Sequence, residues 1–166
     1  MLIMTKRTYE STQIRVYWNS ARCIHTAICL KALPEVFDVQ RRPWIAINAT
    51  EADEIALAVE QCPTGALAYE RLDDAPGEQP PSETTIIPRP NGPLFVKGEV
   101  EIRDSNGNLF DTGFRMALCR CGHSQNQPFC DLSHRKAGFR NVPRVSDPQR
   151  EQAQSPRDIT KPKSEA

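Results

Sequence analysis

Cys119-Arg120-Cys121-Gly122-His123-Ser124-Gln125-Asn126-Gln127-Pro128-Phe129-Cys130-Asp131-Leu132-Ser133-His134 places three thiols and one imidazole in sixteen residues, at the spacing C-x-C-x8-C-x3-H. The stretch is polar and carries no apolar period, which is how a loop folded around a metal reads. A zinc knuckle is the plain alternative, although such sites usually open with C-x2-4-C and a single intervening residue is tight for them. Disulfides fit less well, because a fourth thiol is missing here and cysteines of a reducing compartment seldom pair. Upstream, Phe114, Met116 and Leu118 fall on one face of a predicted strand, with Arg115 and Ala117 on the other, and the strand runs into Cys119. Before it, Val96, Val100 and Ile102 alternate with Lys97, Glu99, Glu101 and Arg103, and Asn106-Gly107 is a strong hairpin signal.

A second cysteine group lies in the first half of the chain. Ile14, Val16 and Trp18 alternate with Arg15, Tyr17 and Asn19 as a half-buried strand does, and Cys23-Ile24-His25-Thr26-Ala27-Ile28-Cys29 follows. A short helical stretch after Cys29 ends at Pro34. Val36 to Val39 and Trp44 to Ile47 then flank a basic turn and read as a hairpin. Thr50 is the expected N-cap of a helix over residues 51–61, with Glu51, Asp53 and Glu54 in its first turn and Ile55, Ala58, Val59 and Cys62 on one face. The helix stops at Cys62-Pro63, and Ala66 to Tyr69 returns as a strand. The expected fold class is α+β, with a small ferredoxin-like N-terminal domain and a β-rich metal-binding C-terminal domain.

The whole chain supports that division. Its 166 residues include 14 prolines, which gather near residues 76–93 and after residue 142. The expected boundaries are a domain over 1–71, a linker over 72–92, a second domain over 93–143 and a disordered tail over 144–166. Domains of roughly 70 and roughly 50 residues have marginal cores, and metals often complete them. Lys+Arg and Asp+Glu both total 21, so no net charge draws the chain to nucleic acid or an anionic membrane. Apolar runs are too short for a transmembrane helix, and Met1-Leu2-Ile3-Met4 is too short for a signal-peptide core. A cytoplasmic location is the resulting expectation, and there cysteines more often bind metal than form disulfides.

The run from Leu118 to His134 resembles the CDGSH iron-sulfur domain of the mitoNEET family. That resemblance implies a 2Fe-2S cluster held by Cys119, Cys121, Cys130 and His134, two thiolates on one iron and Cys plus His on the other. Leu132 departs from the pattern, standing where the family usually has Gly; a positive φ there would cost a leucine about 1 kcal/mol or more. Replacing a thiolate by a neutral imidazole raises the reduction potential, and it links electron uptake, proton uptake and cluster lability at His134. In the first half, Cys23, Cys29 and the Cys62-Pro63 pair repeat the outline of a bacterial ferredoxin run whose middle cysteine is replaced by Thr26. With Pro34-Glu35-Val36-Phe37, they resemble the divergent mono-cluster ferredoxin domain over roughly residues 13–70. A 3Fe-4S or 4Fe-4S cluster on Cys23, Cys29 and Cys62 is implied, with His25 a candidate fourth ligand. Three packed thiols without metal are the alternative.

Arg115, Arg120, Arg135, Lys136, Arg140 and Arg144 make the second half locally basic. They read as charge compensation and a solvated face, or as a docking patch for an acidic redox partner. His123 reads as a loop residue, Trp18 and Trp44 as core aromatics, and the acidic stretch with Asp73, Asp74, Glu78 and Glu83 as a solvated spacer. No nucleophile constellation or phosphate loop is present, so an enzyme is not expected. The expectation is an iron-sulfur single-electron carrier acting with a redox partner protein. The alternatives are a cluster-transfer protein serving an apo acceptor, a redox and pH sensor, and a zinc-stabilised binding module. A homodimer follows only from the CDGSH resemblance.

Overall fold

The computed structural model describes residues 6–145; the expected tail lies outside the described residues from residue 146 onward. Two three-stranded antiparallel sheets and a few short helices give an α+β architecture. The first sheet has the order β1-β2-β3, with β1 over Lys6–Glu10, β2 over Ile14–Asn19 and β3 over Leu67–Arg71. Its register pairs Val16 with Tyr69 and Trp18 with Leu67. Ile14 and Val16 point inward and are fully buried, as the alternation requires. Between β2 and β3 lie α1 (Ile28–Ala32) and α2 (Ala52–Glu60).

Helix α2 buries Ala52, Ile55, Ala56, Ala58 and Val59 against this sheet, joined by Leu33, Val36, Phe37 and Ile45. Its N-cap is Glu51 rather than Thr50, whose hydroxyl instead bonds the Glu54 side chain. The expected hairpin around residues 40–43 shrinks to one bridge, Phe37 to Ile45, flanked by Asp38 N–H to Trp44 O and Ala46 N–H to Val36 O.

The second sheet has the order β4-β5-β6, with β4 over Thr85–Pro88, β5 over Leu94–Lys97 and β6 over Arg115–Leu118. Strand β4 comes from the stretch whose proline content reads as linker; it is exposed throughout and pairs with β5. Beyond β5 the expected alternation does not continue as a strand. The Asn106-Gly107 turn does form, with Asp104 accepting the backbone N–H groups of Asn106 and Asn108, but only the Arg103–Leu109 bridge lies behind it. Val96, Met116 and Phe129 form the small core beneath this sheet.

The other face of β6 is not solvated. Ala117 packs with Ile24 and Cys130, and Arg115 is 4% exposed, because that face meets the N-terminal unit. The helix α3 (Ser133–Lys136) closes the described fold. Among the described residues no helix is long and apolar enough to cross a membrane.

Candidate metal centres

The C-terminal centre is built on β6. The bridge between Leu118 and Phe129, with Cys119 N–H to Pro128 O and Cys130 N–H to Ala117 O at 2.8 Å each, sets Cys119 opposite Pro128 and Cys130 opposite Ala117, so the two cysteines lie diagonally across the paired segments. Cys121 Sγ lies 3.7 Å from Cys119 Sγ, and His134 Nδ1 lies 3.5 Å from Cys130 Sγ. The four residues thus form two pairs, Cys with Cys and Cys with His. Among the described residues, no three such side chains gather tightly enough for a single ion. A two-and-two donor set is what a binuclear iron centre uses, so these residues fit a 2Fe-2S group.

The loop between the pairs is held by side chains whose roles the spacing does not reveal. Buried Ser124 donates to Phe129 O at 2.6 Å and accepts from Asn126 N–H at 3.0 Å. Asp131 accepts the backbone N–H groups of Gln125 and Ser133, both at 2.9 Å. Burial pushes the Asp131 carboxyl up, but these bonds outweigh it and hold the group below the usual carboxylate range. Asp131→Ala should lower the stability of the loop by about 1–3 kcal/mol, read as an earlier loss of the visible absorbance on heating.

Leu132 has φ 71°, so the position where the family pattern has Gly is left-handed here. The side chain gains contact with Ile24, Ala117 and Cys130, which offsets part of the strain. Burial, followed by the nearby Arg135, lowers the affinity of His134 for a proton, with Asp131 opposing; a neutral imidazole is the ligating form. Cys119 also lies below the usual thiol range: burial raises it, but N–H groups of Ser124 and Gly122 and the neighbouring Cys121 outweigh that. Burial pushes Cys130 up. His123 is exposed and shares none of these pairings.

The N-terminal centre lies at the end of β2. Cys23, Cys29 and Cys62 line one small cavity together with Trp18, His25, Thr26, Trp44 and Thr64. A neighbouring apolar cleft of about 480 Å³ shares Trp18, Cys23, His25, Cys29 and Trp44 with it. Positive φ at His25 and Ala27 wraps the Cys23–Cys29 loop so that its two thiols reach the same wall. His25 Nδ1 lies 3.9 Å from Cys23 Sγ, while its side chain is otherwise exposed.

Cys62 follows α2 and is set by Cys62 N–H to Val59 O at 3.0 Å. Burial raises its thiol, but N–H groups of Leu67 and Thr64, the Thr64 hydroxyl and the charge of Arg115 bring it below the usual range. Burial raises Cys23 and Cys29, and a Trp18 N–H opposes the rise at Cys23. Trp18 and Trp44 meet edge to face at 5.1 Å, and the buried Trp44 Nε1–H has no partner among the described residues. Three thiols on one cavity with an unpartnered donor in its wall fit a sulfide-rich group. The strand pattern of the two tryptophans reads as core packing, and their place beside these cysteines emerges only in three dimensions.

These centres define the class: the chain is an iron-sulfur protein with two unlike cysteine sites. Comparison with known families gives the same division. Residues 9–72 match the family described as divergent 4Fe-4S mono-cluster, and residues 91–135 match the iron-binding zinc finger of CDGSH type. The protein YjdI of Escherichia coli K12, described as uncharacterized, is 33% identical over 63 residues, spanning 38% of this chain and 83% of YjdI. Its counterpart in Escherichia coli O157:H7 matches equally. The chain belongs to the divergent 4Fe-4S mono-cluster family through its first half and carries a CDGSH-type domain in its second.

Proposed function

We propose that the protein is a single-electron carrier with two unlike clusters, a 2Fe-2S group on Cys119, Cys121, Cys130 and His134 and a 3Fe-4S or 4Fe-4S group on Cys23, Cys29 and Cys62. The observation that carries this reading is the pairing of Cys119 with Cys121 and of Cys130 with His134, beside a second cavity lined by three thiols. When bound, such clusters supply reversible one-electron chemistry at potentials set by ligand charge, hydrogen bonds and exposure. In the N-terminal unit, read as ferredoxin-like, three cysteines leave one corner of a cubane without a thiolate, and His25, whose Nδ1 lies 3.9 Å from Cys23 Sγ, is the candidate to supply it.

The chain's residues set the conditions for that chemistry. Cys130 and His134 are buried, which excludes water from one side of the C-terminal centre. Exposed Arg135, Lys136 and Arg140 beyond His134 offer a positive surface to an acidic redox partner.

A specific observation favours a second reading, cluster transfer to an apo acceptor: His134 is the only non-thiolate in its ligand set, and protonating it releases a ligand. Stopped-flow reduction followed by reoxidation separates the two. A carrier returns its full visible spectrum over repeated cycles; stoichiometric handover of iron and sulfide to an apo-ferredoxin on the same time scale would contradict the carrier reading.

A further inference from the structure

Two arginines cross between the halves of the molecule, one in each direction. Arg22, the residue before Cys23, is 8% exposed; it donates from Nη1 to Asp111 O at 3.2 Å and from Nη2 to Thr112 O and Arg115 O at 3.1 and 3.0 Å. Its guanidinium lies 4.7 Å from the ring centre of Phe129, the residue before Cys130. In the other direction, Arg115 of β6 donates from Nη1 to Val59 O at 2.9 Å and Cys62 O at 2.5 Å, and from Nη2 to Leu67 O at 3.1 Å. Its Nε and Nη2 also reach the two carboxylate oxygens of Glu78 at 2.7 and 2.8 Å.

The guanidinium of Arg115 is retained at such burial because its donors are satisfied and its charge is balanced. Here the balance comes from Glu78 and from carbonyls at the C-terminal end of α2, where the helix dipole is negative. The backbone between Cys62 and Leu67 is shaped to admit the contact. Gly65 has φ +63°, and a Cβ there would lie 2.4 Å from Arg115 O and 3.1 Å from Arg22 Nη2. Only glycine allows the two segments to approach so closely. Asn126 Nδ2 adds a third tie, donating to Ala21 O at 2.9 Å.

We infer that Arg115, supplied by the C-terminal unit, is a positioning residue of the N-terminal cluster site, fixing the Cys62–Leu67 turn and placing one positive charge beside Cys62. The inference rests on the iron-sulfur reading of Cys23, Cys29 and Cys62. It makes the first centre dependent on the second unit: whatever loosens β6 withdraws both the three carbonyl bonds and the charge. Arg22 exerts the reciprocal hold on the segments flanking β6. A cation beside an anionic centre favours its more negative, reduced form, so the charge raises the potential of the N-terminal site.

The test uses the full chain, purified without oxygen, with Arg115→Met, Arg115→Lys and Gly65→Ala. Each cluster is followed separately by EPR-monitored redox titration, and amide hydrogen exchange at residues 62–67 is measured on the cluster-loaded protein. Arg115→Met is expected to shift the N-terminal potential downward by more than the C-terminal one, and to speed exchange across the turn at least tenfold. Arg115→Lys keeps the charge but not the fork of donors, so its potential shifts less while exchange still rises. Gly65→Ala keeps the arginine and forces the two segments apart, so exchange rises there too. If Arg115→Met does not fold, the other two variants carry the test. Arg115 variants with unchanged N-terminal potential and unchanged exchange would overturn the inference while leaving the cluster reading intact. An unsubstituted protein with no iron-sulfur signal from Cys23, Cys29 and Cys62 would overturn that reading, and the inference with it.

Discussion

Substituting His134→Cys lowers the reduction potential of the C-terminal cluster, by an amount on the order of 100–300 mV, and makes the cluster persist to lower pH. The reasoning starts from charge. Histidine ligates as a neutral ring, whereas cysteine ligates as a thiolate, so the variant adds one negative charge at a centre that must accept an electron. His134 is buried and its Nδ1 lies 3.5 Å from Cys130 Sγ, so a replacement thiolate is poorly screened by water. Acid lability also changes in a defined direction. A histidine leaves when it is protonated near its own pKa, whereas a metal-bound thiolate accepts a proton only under more acidic conditions. Redox titration and the pH of bleaching measure the two effects independently. An unchanged potential together with unchanged acid bleaching would remove His134 from the ligand set.

The second large effect is an asymmetry between the halves of the molecule. Cys62→Ser abolishes the N-terminal cluster but leaves that unit folded, because Ile14, Val16, Val36, Phe37, Ile45, Ile55, Val59 and Leu67 bury a continuous core between α2 and the first sheet. Cys130→Ser abolishes the C-terminal cluster and much of that unit's order as well. Its separate core rests on Val96, Met116 and Phe129, and the Phe129-Cys130 segment is itself part of the ligand loop. Small units with so little buried apolar surface depend on their metal for folding. Hydrogen exchange with and without each cluster makes the comparison. Equal protection of both halves in the Cys130→Ser protein would contradict the account.

The sequence announces the chemistry more fully than the architecture. Cysteine spacing singles out the residues that gather at the two candidate sites, and the alternation at Ile14 and Val16 and the helical period at Ile55, Ala58 and Val59 locate β2 and α2. Arg115 shows why the rest stays hidden. An arginine alternating with Phe114 and Met116 reads as the wet face of a strand, because the pattern assumes that one face meets water. In the folded chain that face meets the other unit, and the carbonyls that satisfy Arg115 lie roughly 50 residues away in sequence.

Glu78 is concealed in the same way, reading as part of a solvated acidic spacer while balancing the charge of Arg115. Strand β4 is obscured by the prolines around it, and β1, with no buried residue, has no apolar alternation to betray it. Helix α3 is only one turn long, too short to carry a period. Leu132 is the reverse case: the departure from Gly is visible in the sequence, and the positive φ it anticipates is present.

The most direct measurement is combined iron, sulfide and zinc analysis with EPR, before and after dithionite, on protein purified without oxygen. The account predicts iron and sulfide in excess of a single 2Fe-2S cluster, a 3Fe-4S signal as isolated or a 4Fe-4S signal on reduction, and a separate reduced 2Fe-2S signal. Stoichiometric zinc without sulfide would contradict it.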